Sequence, residues 1–185
     1  MNIVSETSAS LPGNLYTLAA AYRHKVFVER LCWELASQDG LEEDQFDRPD
    51  TVYVVACNES GNVCGCARLL PTTGPYLLAE VFPQLLNGAV PPNSPEIWEL
   101  SRFAAVDWQG NSPSALAQFS SPIAIKLLEE AIACAASRGA KQLITVSPLG
   151  VERLLQRAGF RAHRAGPPVI TDGRPLFACW IEVET

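Results

Sequence analysis

The chain has 185 residues, 48% of them hydrophobic, and a formal net charge of −6 at pH 7. This length can bury the core of a single domain, which we expect to span residues 1–185. The net negative charge argues against a nucleic-acid binder, and no run approaches the roughly 18 consecutive apolar residues of a membrane span. The first ten residues, MNIVSETSAS, lack the basic and apolar regions of a signal peptide, so a cytoplasmic protein is expected.

Six cysteines and two histidines limit the metal and redox chemistry that the chain can perform. Cys57, Cys64 and Cys66 lie in apolar runs, where unpaired cysteine is commonly a small buried hydrophobe. Because the sequence has no CxxC pair, we expect no metal site. A cysteine nucleophile with His24 as its base is not expected, since His24 lies between two basic residues on a predicted helix with no obvious thiol partner.

The first predicted element is an amphipathic helix over residues 14–31. On this helix Arg23 and Phe27 share one flank because they are four residues apart. Residues 35–50 are polar and acidic and are expected to form a loop or a mobile lid. The predicted buried stripe of the helix consists of Leu15, Leu18, Tyr22 and Val26.

Three strands are predicted in the middle of the chain. Residues 51–57 and 63–70 are β-rich runs, and Asn58-Glu59-Ser60-Gly61-Asn62 forms the loop of a hairpin between them. Residues 83–95 are a connection rich in proline and asparagine. Residues 96–106 form the third strand.

A loop over residues 107–120 is expected to precede the second long helix. Ser121 is its predicted N-cap and Pro122 its first helical residue, whereas Gly139 lies just beyond its last turn. The predicted buried stripe consists of Ile123, Leu127, Ala131 and Ala135.

The C-terminal part is predicted to contain a strand over residues 141–147, a short helix from Pro148 to Gly159, and a last strand over residues 176–183. Strands and helices alternate along the chain. The predicted fold class is therefore α/β, a single-domain α-β-α sandwich with a central mixed sheet covered on both faces.

Charged and aromatic residues recur at fixed intervals through the first 103 residues. They form Arg23-x3-Phe27-x5-Trp33, Asp44-x2-Asp47 and Trp98-Glu99-Leu100-Ser101-Arg102-Phe103, with Arg68 and Phe82 between the last two segments. This order, with the stretches YRHKVFVERLCW, DQFDRPDTVYVVA, CGCARLLPTTGPYLL and WELSRFAA, resembles the acyl-homoserine-lactone synthases of the LuxI type, which make bacterial quorum-sensing signals. The resemblance covers nearly the whole chain.

The resemblance implies the fold of the GCN5-related N-acetyltransferases and a two-step acyltransferase reaction. The amino group of S-adenosylmethionine attacks an acyl thioester to form an amide. Its carboxylate then attacks its own γ-carbon, which closes the lactone and expels methylthioadenosine. S-adenosylmethionine is thus a substrate and no cofactor is expected, with acyl-acyl carrier protein as the preferred donor. We expect a monomer with no nucleic-acid or membrane partner.

Nine residues are candidates for chemistry and for substrate binding. The indole of Trp33 suits the sulfonium, because a cation over an aromatic ring gains roughly 0.5–2 kcal/mol; the alternative is a core tryptophan at a helix end. Arg23 could take the substrate carboxylate or pair with an acid, and Asp44 and Asp47 could hold the amine or the adenosine, or pin the loop. The catalytic candidates are Glu99, Arg102, Arg68 and Asp47. The candidates that bind S-adenosylmethionine are Arg23, Phe27, Trp33, Asp44 and Phe82.

Glu99 is the candidate base, acting through a water, because burial in an apolar strand raises the pKa of a carboxylate. The alternative is a purely structural partner for Arg68 or Arg102. In a regular strand Glu99 and Arg102 would point to opposite faces. Either they serve different faces or a β-bulge interrupts the strand, and we favour the bulge.

The acyl chain length is not fixed by the sequence. Ser147 is either a helix N-cap before Pro148 or, as the resemblance implies, a hydroxyl that binds an oxygen on the third carbon of the acyl chain. The predicted acyl pocket consists of Leu100, Phe119, Ile123, Leu127, Val146, Ser147, Leu149 and Leu154.

A basic cluster over residues 138–174 is the predicted docking surface for an acidic acyl carrier protein. Within it Arg153 and Arg157 are four residues apart on one helix face, and Arg138 and Lys141 are the alternative pair.

Two alternatives to a synthase are a GNAT-like N-acyltransferase and a non-catalytic binding protein. A GNAT-like N-acyltransferase would use acyl-CoA on another amine, and such enzymes cradle the CoA pyrophosphate in a glycine-rich turn after the strand 96–106. That turn is missing from residues 106–113, which fits a carrier-protein donor better, although a divergent synthase could still use acyl-CoA. A non-catalytic binding protein would be indicated by loss of Glu99, Arg68 or the aspartate pair, and all are present.

Overall fold

A computed structural model describes residues 1–108 and 121–183. Within these ranges, no helix has both the length and the hydropathy needed to cross a bilayer. Two short 3-10 turns lie at Ser8–Ser10 and Pro83–Leu86. In chain order the other elements are β1 (Asn2–Thr7), α1 (Leu15–Arg23), a π-helix (His24–Arg30), β2 (Ser37–Gln38), β3 (Leu41–Glu42), β4 (Val52–Cys57), β5 (Val63–Pro71), α2 (Leu77–Val81), β6 (Ile97–Ala104), α3 (Pro122–Ser137), β7 (Gln142–Pro148), α4 (Val151–Arg157), β8 (Ala162–Arg164), β9 (Val169–Thr171) and β10 (Arg174–Glu182).

The chain divides into two compact units, and strands β5 and β6 contribute residues to both. The first unit comprises Met1–Arg68 and Arg102–Ala131, and the second comprises Leu69–Ser101 and Ile132–Thr185. The expectation of a single domain stays a prediction.

In the first unit the strands follow the order β1-β4-β5-β6. β1 pairs antiparallel with β4, and β2 pairs with β3 in a separate hairpin. One cluster of its core consists of Tyr22, Val26, Phe27, Cys66, Ala104 and Val106. A second consists of Leu11, Leu15, Ala19, Tyr53 and Val55.

In the second unit the order is β5-β6-β7-β10-β8, and β9 also pairs with β10. β6 and β7 are parallel, whereas β10 is antiparallel to β7, β8 and β9. The sheet is therefore mixed and carries helices between its strands, which confirms the predicted fold class.

The termini of α3 agree with their sequence signals. Ala124 donates its N–H to the Ser121 hydroxyl at 3.1 Å, so Ser121 is the N-cap. Gly139 has a φ of 88°, the left-handed conformation that follows a helix C-terminus. The predicted β4–β5 hairpin is also confirmed, since Asn58 donates its N–H to the carbonyl of Asn62 at 2.9 Å.

Other boundaries were predicted wrongly. The first helix keeps α geometry only to Arg23, and Leu18 on its predicted buried stripe is 41% exposed. The segment predicted as a loop contains the hairpin β2–β3. The short helix begins at Val151, because β7 continues through Pro148 and Gly150 then turns the chain with a φ of 93°.

Candidate active site

Six charged side chains of the first unit form a closed ring in which arginines and carboxylates alternate. Each arginine contacts two carboxylates, and each carboxylate contacts two arginines. The ring therefore has no end at which a charge is left uncompensated, and its three positive and three negative charges cancel. In order around the ring, the members are Arg23, Glu42, Arg102, Asp44, Arg68 and Asp47, which returns to Arg23.

Arg23 and Arg68 both reach Asp47. The Nε of Arg23 donates to Glu42 at 2.6 Å, and its two terminal nitrogens donate to the two oxygens of Asp47, each at 2.9 Å. Arg68 donates to Asp44 at 2.6 and 3.1 Å, and to Asp47 at 2.9 Å. These paired contacts use the fork geometry of the guanidinium, which suits carboxylates.

Arg102 closes the ring from strand β6. Its guanidinium donates to Glu42 over distances of 2.9 to 3.2 Å and to Asp44 at 2.9 Å. Its backbone φ is 50°, a left-handed value inside a strand. Such a residue breaks the regular alternation of side chains, as the predicted bulge at this position requires.

Contacts within the ring shift the pKa values of Asp47 and Arg23 toward their charged forms. Burial alone would raise the pKa of Asp47, but the hydrogen bonds and charge of Arg23, with the charge of Arg68, hold that pKa well below its usual range. Burial would lower the pKa of Arg23, yet Asp47 and Glu42 raise it well above its ordinary value. For both residues the neighbours in the ring favour the charged form.

Asp44 and Asp47 also fix the backbone of their own loop. Asp44 accepts the N–H of Phe46 at 2.9 Å, and Asp47 accepts the N–H of Asp44 at 2.8 Å. Of the alternatives left open by the sequence, the structure brings Arg23 to acids and uses both aspartates to pin the loop.

Two members of this site were not among the candidates predicted from the sequence. Glu42 is completely buried, and Tyr53 donates its hydroxyl to Asp47. The sequence signal for Glu42 was its position in the acidic segment 35–50 that also contains Asp44 and Asp47. Nothing in the sequence pattern singled out Tyr53.

The aromatic candidates Phe27 and Trp33 are brought together beside the ring. Their rings stack with centroids 5.0 Å apart and an interplanar angle of 24°. The guanidinium of Arg102 lies 5.8 Å from the centroid of Phe27, within the range of a cation–π contact. Trp33 is half-buried, so part of its side chain remains accessible.

Glu99 and Phe82 belong to the second unit. Glu99 is completely buried and accepts the backbone N–H groups of Leu77 at 3.2 Å and Leu78 at 2.6 Å. These donors begin α2, so the carboxylate satisfies N–H groups that a helix start leaves free. Phe82 is half-buried at the other end of the same helix.

Strands β6 and β7 separate next to several of the predicted acyl-pocket residues. Their parallel pairing covers Ile97–Gln142, Trp98–Leu143 and Glu99–Ile144, although both strands continue further. Leu100 and Ser147 are buried and Val146 is half-buried just beyond the last of these pairs.

The N-cap interpretation of Ser147 is wrong, because Ser147 pairs with Phe177 inside the sheet and α4 begins four residues later. Leu149 is 41% exposed in the turn after β7, and its place in the acyl pocket stays a prediction. Leu154 is half-buried on α4. Ile123 and Leu127 lie on α3 in the first unit. Phe119 lies outside the described residues.

The structure does not favour a cysteine nucleophile. Burial raises the pKa of Cys64 to about 11 and that of Cys66 to about 12, so both remain thiols at neutral pH. His24 Nε2 lies 3.4 Å from Glu29 rather than beside a thiol. In the part of the chain that the structure describes, no group of three or more His, Cys, Asp or Glu side chains is arranged to hold a metal ion.

Comparison with known proteins gives matches along nearly the entire chain. The family model described as autoinducer synthase matches residues 6–184. An acyl-homoserine-lactone synthase from Acinetobacter nosocomialis is 58% identical over 183 residues, which cover 99% of this chain and 100% of that protein. The structure of TofI in a ternary complex with an inhibitor and MTA has a TM-score of 0.84 and 46% identity, covering 100% of this chain and 92% of that one.

Two further solved structures bear on the donor and on the fold. The CoA-dependent acyl-homoserine lactone synthase BjaI, solved with SAM and isopentyl-CoA, has a TM-score of 0.82 and 28% identity, covering 98% of this chain and 82% of that one. A putative N-acetyltransferase from Lactobacillus plantarum has a TM-score of 0.62 and 20% identity, and each chain is covered completely. The second match concerns the fold alone, and it confirms the expected likeness to N-acetyltransferases.

Proposed function

Because the chain belongs to the autoinducer synthase family and is an acyl-homoserine-lactone synthase, an acyltransferase, we propose that it joins S-adenosylmethionine to the acyl group of an acyl-acyl carrier protein. The amine attacks the thioester carbonyl, which forms the amide and releases the carrier thiol. The substrate carboxylate then attacks the γ-carbon, which closes the lactone and releases methylthioadenosine. S-adenosylmethionine is consumed as a substrate, and the solved relative BjaI is described with SAM and isopentyl-CoA.

The observation that carries this proposal is the closed ring beside the stacked aromatic pair. The arginines and carboxylates of the ring compensate one another, so they serve as positioning residues that hold the acidic loop to α1, β5 and β6. The positive charge of the substrate is then expected to contact the aromatic faces of Phe27 and Trp33. We assign the sulfonium to Trp33, whose stacking on Phe27 fixes the plane of its indole.

Glu99 remains our proposed base for the amine, acting through a water. Its two backbone donors fix the direction of the carboxylate, which would accept the proton as a general base. This role adds to its contact with the start of α2. Phe82, at the other end of that helix, is retained as a substrate contact.

The opening between β6 and β7 is the proposed path of the acyl chain. Where two parallel strands stop pairing, their facing backbone groups no longer bond to each other and can bond to a ligand. Leu100 and Val146 supply apolar surface there. We propose that the Ser147 hydroxyl, which does not cap a helix, binds an oxygen on the third carbon of the chain.

The surface of α4 favours a carrier protein as the donor. Arg153 and Arg157 are both exposed and lie one helical turn apart, so they offer two positive charges to an acidic carrier protein. The alternative pair is already engaged, since Lys141 pairs with Glu96 at 2.5 Å and Arg138 donates to the carbonyl of Cys134 at 3.1 Å.

Acyl-CoA is the second candidate donor, because the solved relative BjaI is described as CoA-dependent. The sequence lacks the glycine-rich turn that would hold the CoA pyrophosphate. Most of that stretch, from residue 109 onward, lies outside the described residues.

A direct assay decides between the donors. The purified chain is supplied with S-adenosylmethionine and the same acyl group on either carrier protein or CoA, and lactone and methylthioadenosine are quantified by mass spectrometry. We expect kcat/KM at least about tenfold higher for the carrier protein, a difference of about 1.4 kcal/mol. A tenfold preference for acyl-CoA would overturn the donor assignment.

Charge reversal tests the docking surface. Arg153→Glu with Arg157→Glu should raise KM for acyl carrier protein and weaken its dependence on salt, while KM for acyl-CoA stays unchanged. Arg138→Glu with Lys141→Glu is the matched control. An effect confined to the control pair would move the docking surface to those residues.

A further inference from the structure

The backbone of Arg102 is held from within the core of the first unit. Its carbonyl oxygen accepts a hydrogen bond from the thiol of Cys66, with the sulfur 3.3 Å away. Cys66 is completely buried in β5. Because a φ of 50° is unfavourable for any residue with a side chain, Arg102 keeps it only where its surroundings hold it in place.

Gly65, the residue before Cys66, also fits closely against β6 because it has no side chain. A Cβ atom at Gly65 would lie 3.3 Å from the carbonyl oxygen of Ala104 and 3.2 Å from Cδ2 of Leu127. Both distances are shorter than an ordinary van der Waals contact. β5 thus leaves space at Gly65 and supplies a donor at Cys66, opposite the residues where β6 departs from regular geometry.

The Cys66 thiol remains a donor under working conditions. Burial raises its pKa to about 12, so it keeps its proton at neutral pH. A thiol is a weak donor, but its acceptor here belongs to the residue that closes the ring. The guanidinium of Arg102 reaches both Glu42 and Asp44 at 2.9 Å.

We propose that Cys66 is a positioning residue for the synthase reaction. It holds the carbonyl of Arg102 so that the guanidinium closes the ring and lies over Phe27, the aromatic partner of Trp33. This inference rests on the role proposed for Arg102 and its ring.

Four variants separate the hydrogen bond from the volume of the side chain. Cys66→Ala and Cys66→Val remove the donor, the second while filling the space, and Cys66→Ser keeps a donor. Cys64→Ala is the matched control, because it removes another buried thiol of the same strand, one whose sulfur lies 3.5 Å from the carbonyl of Ala56. Turnover is measured per folded molecule with S-adenosylmethionine as the varied substrate.

We expect kcat to fall about three- to tenfold in the Ala and Val variants, as for one lost hydrogen bond. The Cys66→Ser and Cys64→Ala variants should stay within about twofold of the unmodified chain. If Cys66→Ala does not fold, Cys66→Val gives the same comparison. Equal losses in Cys66→Ser and the donor-free variants, or an equal loss in Cys64→Ala, would overturn the inference, because side-chain volume would then explain the effect.

Arg102→Ala is measured in the same series so that two kinds of failure can be distinguished. If Arg102→Ala keeps full activity, the proposed role of Arg102 fails and this inference fails with it. If Arg102→Ala is inactive while Cys66→Ala and Cys66→Val are fully active, the site stands and only the role of Cys66 is refuted.

Discussion

Replacing Glu42 by glutamine tests whether the closed ring exists as described. Glu42 accepts from Arg23 at 2.6 Å and from two nitrogens of Arg102 at 2.9 and 3.1 Å. Glutamine keeps one acceptor oxygen, turns an N–H group toward guanidinium donors, and leaves one buried positive charge uncompensated. Removing one partner of a buried ion pair costs about 3–5 kcal/mol. For a chain of this length that lowers the melting temperature by about 6–20 °C.

The control is Glu43→Gln, one residue further along the chain. Glu43 is exposed and accepts only the hydroxyl of Tyr16 among its hydrogen bonds to described residues. We expect the free energy of unfolding, measured by urea denaturation, to change by less than about 1 kcal/mol in this variant. Equal destabilisation by the two substitutions would refute the assignment of Glu42 to a buried ring.

A double variant tests whether residues of the ring are energetically coupled. Glu42→Gln with Arg102→Gln leaves two arginines facing two aspartates, so charge balance returns. The loss of unfolding free energy in the double variant should be smaller than the sum of the two single losses by about 1 kcal/mol or more, because neighbours in one network are coupled. Synthase activity should stay lost, since Arg102 no longer closes the ring. Strict additivity would show that the two residues are independent.

The remaining predictions concern three single residues. Because the pKa of Asp47 is depressed in the folded chain, its contribution to stability is present above the ordinary aspartate pKa of about 3.9 and is lost as pH falls below it. Urea denaturation from pH 3 to 7 should show this loss of unfolding free energy at acidic pH. The Asp47→Asn variant should lose less stability over the same pH range. Glu99→Gln should cut turnover far more than it weakens S-adenosylmethionine binding by calorimetry, and it should cost about 1–3 kcal/mol of stability because one backbone donor at α2 loses its acceptor. Lost binding as the whole effect would make Glu99 a ligand or an anchor instead. Ser147→Ala should shift the product ratio toward unsubstituted chains by at most about tenfold with little change in stability, and an unchanged ratio would remove Ser147 from the acyl site.

Elements with local signals were predicted well. Ser121 and Gly139 bound α3 through contacts within a few residues, so the sequence around them contains the whole cause. Pro148 shows the limit of such signals. It looked like a helix start, yet β7 runs through it because Leu176 of β10 pairs with it. A ladder partner that distant along the chain leaves no trace beside the proline.

The short elements were missed for a related reason. β8 and β9 have three residues each and gain their hydrogen bonds from β10. β1, at the end of the strand order in the first unit, mixes polar and apolar residues. None of these segments shows a clear alternation of its own, so only the assembled sheet makes them strands.

Spacing located the charged residues of the site but could not determine their partners. Arg23 was compatible both with a substrate carboxylate and with an acid of the chain, because a guanidinium binds either in the same way. The choice depends on Glu42, which contacts Arg23 and Arg102 from the hairpin β2–β3. Once each arginine has two carboxylates, a substrate carboxylate would have to displace one of them and pay for an uncompensated charge. The substrate is therefore expected to contact Trp33 and not the arginines of the ring. This expectation depends on the charge pairing of the folded chain, which no single sequence motif contains.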